Sequence, residues 1–104
     1  MKFKSLFIAE CPDADMEKHR EKMETDMYVL YVNLVRDQEE ALEVAESYAS
    51  EKEIDSMILC PGFTHEDVAE ISESLDDVGV TVARGDGPSG EIAQNAMKRA
   101  GWFE

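Results

Sequence analysis

Strand-like and helix-like hydrophobic periods alternate along this chain. Lys2 to Ala9, with Phe3, Leu6, Phe7 and Ile8, predicts a first strand, broken by Pro12 and Asp13. From Ala14 to Glu24 only Met16, His19 and Met23 fall at helical spacing, and a short polar helix is expected there. Met27 to Val35 is apolar at both alternations, as a strand covered on both faces requires. The clearest helix follows: Ala41, Leu42, Val44, Ala45, Tyr48 and Ala49 recur three and four residues apart behind an N-cap at Asp37, with Glu40 placed as in a capping box. Ser56 to Cys60 reads as a short buried strand ended by Pro61 and Gly62. Thr64 and Asp67 then open a third helix with Val68, Ile71, Leu75 and Val78 inward, stopped by Gly79. Val80 to Arg84 is a fourth strand. A Gly-rich turn leads to a last helix expected to turn Ile92, Ala93, Ala96, Met97 and Ala100 to the core, with Gly101 as its stop.

Strands alternating with helices imply right-handed crossovers and a parallel sheet. The expected architecture is therefore one three-layer α/β domain over residues 1–104: four βα units, a mainly parallel four-stranded sheet and helices on both faces. A flavodoxin-like winding, in the order 2-1-3-4, is the common solution for such a pattern. An antiparallel edge strand is its main competitor.

Charge changes the picture most. Ten basic against 24 acidic residues leave −14, a balance that repels nucleic acid and anionic membrane, so neither is expected as a partner. Solubility is the simplest use of these acids, since Glu39, Glu40, Glu43, Glu46, Glu66, Glu70 and Glu73 fall on expected solvent faces. No apolar run approaches the ~20 residues of a membrane span. The basic start lacks the apolar length and cleavage site of a signal peptide, and a cytoplasmic protein is expected.

Ligands of open α/β sheets bind beyond the carboxyl ends of the strands. Four segments fall there: Glu10 to Asp13, Val35 to Asp37, Cys60 to His65, and Arg84 to Gly90. They hold both cysteines and every proline. The ligand-binding set expected from this clustering is Cys60, Gly62, Phe63, Thr64, His65, Arg84, Gly85, Asp86, Gly87, Ser89 and Gly90. Cys11, Cys60 and His65 are the catalytic candidates. Against this, small thiols in tight turns are most often only packed, and a histidine in the first turn of a helix is more often a surface group than a base. A metal would need Cys11, Cys60, His65 and a fourth group such as Asp86, without any close-spaced ligand pair, and no metal is expected.

Gly85-x-Gly87-x-x-Gly90 matches a dinucleotide fingerprint literally. No strand and no ribose-binding acid follow it within the sequence, and Asp86 would repel a pyrophosphate, so no cofactor is expected. It reads better as a turn with Ser89 capping the last helix, where free N–H groups and Arg84 could hold a small anion. No nucleophile elbow, phosphate-binding Walker loop or His-Glu-x-x-His motif is present.

Met1-Lys2-Phe3-Lys4 with Phe7-Ile8, the Cys60-Pro61-Gly62-Phe63 turn and the Gly-rich segment from Arg84 carry a resemblance. Through them the chain resembles a prokaryotic family of small α/β proteins known only as a domain of unknown function. The resemblance implies the fold class and leaves the activity open. Three readings follow. The first is a protein binding a small molecule or anion at the carboxyl edge, expected as a homodimer because Met27 to Val35, if an edge strand, is too apolar to stay bare. The second is a small thiol- or His-dependent enzyme at the same edge. The third is an acidic structural or interaction domain.

Overall fold

The computed structural model describes residues 1–85 and 87–103. Eight elements follow one another: β1 (Phe3–Glu10), β2 (Arg20–Glu24), β3 (Tyr28–Val35), α1 (Gln38–Glu51), β4 (Ser56–Leu59), α2 (His65–Glu73), β5 (Gly79–Val82) and α3 (Gly87–Arg99). The strands make one five-stranded sheet in the order β2-β3-β1-β4-β5. β3, β1, β4 and β5 are mutually parallel, and β2 joins the β3 edge antiparallel, Arg20 opposite Asn33 and Glu24 opposite Val29.

This α/β chain departs from the expected four βα units. The parallel strands keep the expected relative order, but the sheet is five-stranded and mixed, and only β3, β4 and β5 are each followed by a helix. The helix expected over Ala14 to Glu24 does not form. Asp15 instead donates its N–H to His19 Nδ1 at 2.8 Å and accepts from the Glu17 N–H at 3.0 Å, bending the chain into a turn. Thr25 closes the β2–β3 hairpin: its Oγ1 accepts from the N–H groups of Met27 and Tyr28. Arg20 to Glu24 is exposed throughout, and its alternating charges suit an edge that must not recruit further strands. β3 is therefore an interior strand, and the edge argument for a dimer is withdrawn.

Alternation along β1 and β4 sorts their side chains. Leu6, Ile8, Met57 and Leu59 face α1 and α2 and are fully buried; they join Val35, Ala41, Val44, Ala45, Ile54, Phe63 and Ile71 in the core. Asn33, in an otherwise apolar strand, lies on this side with its amide satisfied. It donates to the Met16 carbonyl and accepts from the Tyr48 hydroxyl at 2.9 Å. α1 starts as expected, Asp37 accepting from the Glu40 N–H, but Glu40 turns to Arg36 instead of closing a capping box. α2 has the full box between Thr64 and Asp67. It stops at Ser74, five residues before Gly79, which opens β5; Leu75 and Val78 reach the core from the connecting loop.

The other face of the sheet is not covered as a three-layer sandwich requires. Phe3, stacked on Tyr28, is 51% exposed, and Ile58 on the same face is 36% exposed. α3 buries none of its residues; Ile92, expected in the core, is 71% exposed. The apolar stripe is present, but the layer it should form is missing.

Candidate functional site

Four parallel strands deliver their carboxyl ends to one rim, as the sequence requires: Glu10 at the end of β1 with Cys11 after it, Arg36 after β3, Cys60 after β4 and Arg84 after β5. The turn from Cys60 to His65 is its centre. The Cys60 N–H bonds to the Ile8 carbonyl, fixing the turn to β1, and the Phe63 N–H returns to the Cys60 carbonyl. Cys60 Sγ accepts from the Glu10 N–H at 3.4 Å, one residue before Cys11. Both half-buried thiols therefore stand at adjacent strand ends.

The thiols have structural partners. Cys11 Sγ donates to Asp13 Oδ1 at 3.1 Å. That bond to a carboxylate, followed by desolvation, raises the Cys11 thiol above its ordinary value and holds it in the protonated, less nucleophilic form. Gly62 sits against Glu10: a Cβ added at Gly62 would lie 2.7 Å from Glu10 Oε1. Burial first, then Asp67 and Asp37, raises the Glu10 carboxyl. Glu10 was within an expected rim segment, yet nothing in its residue type singled it out.

On the β5 side Arg84 Nη1 donates to the Pro61 carbonyl at 3.1 Å, and Nη2 stands 3.5 Å from His65 Nδ1. Arg84 and His65 are exposed. Among the described residues the ion pairs are Lys2–Glu24, Lys22–Glu24 and Arg36–Glu40, so Arg84 has no carboxylate there.

Other expected contributors stand apart from this cluster. Phe63 is fully buried in the core and offers no surface to a ligand. Thr64 Oγ1 is engaged as the α2 cap, accepting from the Asp67 N–H. Gly87, Ser89 and Gly90 lie within α3, so Ser89 does not cap it. A Cβ at Gly87 or Gly90 would meet nothing within 4 Å, so neither glycine is demanded by a close approach. Asp86 lies outside the described residues. Among the described residues no three His, Cys, Asp or Glu side chains gather as a metal site, and no helix is long and apolar enough to cross a membrane.

Two depressions lie on opposite sides of β2 and β3, and neither is lined by Cys60, His65 or Arg84. One, of about 380 Å³, is lined by Lys18, His19, Arg20, Glu21, Val32 and Leu34 on the uncovered face. The other, of about 160 Å³, includes Arg20, Asn33, Glu43 and Tyr48 beside α1.

A family model described as a family of unknown function matches residues 3–98. The chain belongs to that family, DUF6506. The match spans β1 through nearly all of α3, so the family pattern covers the rim and the exposed helix alike. Comparisons with curated proteins and with solved structures find no match.

Proposed function

We propose that this DUF6506 protein works as one α/β domain that binds a small anionic molecule at the carboxyl rim, with Arg84 as its charged contact and His65 beside it. The observation carrying this reading is an exposed guanidinium, held by the Pro61 carbonyl, without a carboxylate among the described residues of a chain of net charge −14. Arginine's fixed fork suits a carboxylate or phosphate. The N-terminus of α2 contributes less, because the capping box already engages the Thr64 and Asp67 N–H groups and sets the Asp67 carboxylate there.

A thiol enzyme at the same rim is the weaker reading. Cys11 is held protonated by Asp13, and the Cys60 sulfur's partner among the described residues, the Glu10 N–H, is a donor that cannot take the thiol proton.

Thermal unfolding with millimolar phosphate, sulfate, acetate and citrate tests the proposal. A saturable anion at about 100 times its Kd stabilises by about 2.7 kcal/mol, worth roughly 10 °C or more in a chain of this length. The rise should vanish in Arg84→Ala. If no anion in the set raises Tm saturably, or if Arg84→Ala responds as the wild type does, the anion reading is wrong.

A further inference from the structure

Two apolar surfaces are left without partners among the described residues. One is the uncovered sheet face. The register places Phe7 beside Val32 and Ile58, and Phe3 beside Tyr28, all on the side away from α1 and α2. The other is the stripe of α3, where Ile92, Ala93, Ala96, Met97 and Ala100 recur at helical spacing and none is buried. Phe103, beyond the end of the helix, is exposed as well. A helix on a sheet is the ordinary way to bury two such surfaces.

We propose that α3 of one copy covers the open sheet face of a second copy, and receives its partner's α3 in return. Two observations select this occupant. Each chain carries one helix stripe and one sheet face, so a two-fold exchange satisfies both and closes. The molecule extends 42 × 29 × 27 Å with a radius of gyration of 14.1 Å, against about 13 Å for a compact chain of this length. The groove lined by Lys18, His19, Arg20, Glu21, Val32 and Leu34 opens on this face. Burying the exposed parts of Phe3, Ile58, Ile92 and Phe103 in both copies gives an interface on the order of 1,000 Å², the lower bound for specific association.

Sedimentation equilibrium of the intact chain decides this, with far-UV circular dichroism confirming each fold. The wild type should be a dimer at micromolar concentration. Ile92→Glu on the helix, and separately Phe3→Thr with Ile58→Thr on the sheet, should each weaken it about tenfold or more; threonine keeps strand propensity. Gln94→Glu, the same added charge on the polar side of α3, should leave it intact. A wild-type monomer, as α3 closed on its own sheet would give, overturns the exchange. So does a dimer weakened by the helix variant alone, which would mean helix-to-helix pairing. A dimer weakened only by the sheet variant, or equally by Gln94→Glu, overturns it too.

Discussion

At the residue scale the rim is organised by backbone and carboxylate contacts more than by its thiols. Glu10 lies where Gly62 lacks a side chain, and its carboxyl is raised by burial and then by Asp67 and Asp37. A raised carboxyl favours the fold while protonated, and that contribution is lost as pH rises through the raised value. Glu10→Gln, uncharged and of the same shape, should therefore raise Tm at neutral pH and leave it nearly unchanged below about pH 4. Melting curves at both conditions check the sign; an equal shift at both would exclude ionisation as its source. Cys11 offers a parallel measurement. Removing its acceptor with Asp13→Ala, in a Cys60→Ser background, should speed thiol–disulfide exchange at neutral pH, with the difference closing once the thiol is fully ionised. Unchanged kinetics would mean that Asp13 does not hold the thiol. The sequence placed Cys11, Cys60, His65 and Arg84 at one rim, because carboxyl ends follow from parallel strands. It misplaced Phe63, because an aromatic after Pro-Gly carries no sign of whether it turns inward.

Among the elements, legibility tracked how strongly a segment's own hydrophobicity fixes it. α1 and α2 were readable because an amphipathic stripe and a capping residue agree at their starts. β2 was not, because an exposed edge strand needs no apolar alternation, and Met16, His19 and Met23 fall at helical spacing by coincidence. The hairpin depends on Thr25, whose hydroxyl serves two N–H groups, a signal easily lost in a polar run. The caps are open to direct test. Thr64→Ala should cost about 1 kcal/mol in urea unfolding, and Thr64→Ser much less, since serine retains the accepting oxygen. Tyr48→Phe removes the hydroxyl bonded to buried Asn33 Oδ1 and should cost about 1–3 kcal/mol. A loss near zero would mean that water replaces the hydroxyl there.

For the whole molecule the decisive quantity is net charge. A net fourteen negative charges on 104 residues repel one another in the folded state, and of the 24 acids only Glu24 and Glu40 stand in ion pairs among the described residues. Expanding the chain relieves that repulsion, so it subtracts from stability. Added salt shortens the screening length from about 10 Å at 0.1 M to about 3 Å at 1 M, removing interactions between distant carboxylates before those at hydrogen-bond distance. Sodium chloride raised from about 0.05 to 0.5 M should therefore increase Tm, and most of the rise should come early, where the screening length changes fastest. The exchange of α3 adds a second consequence, because bringing two such bodies together is also opposed by their charge: the dimer should tighten over the same range, and Tm should then depend on protein concentration. Melting curves across salt at two protein concentrations separate these effects. A rise with salt at both concentrations alike belongs to the chain's own repulsion, whereas a gap between them that widens with salt belongs to association. A Tm that falls with salt would mean that the few attractive pairs, Arg36–Glu40 and Lys2–Glu24, outweigh the repulsion of all the other acids.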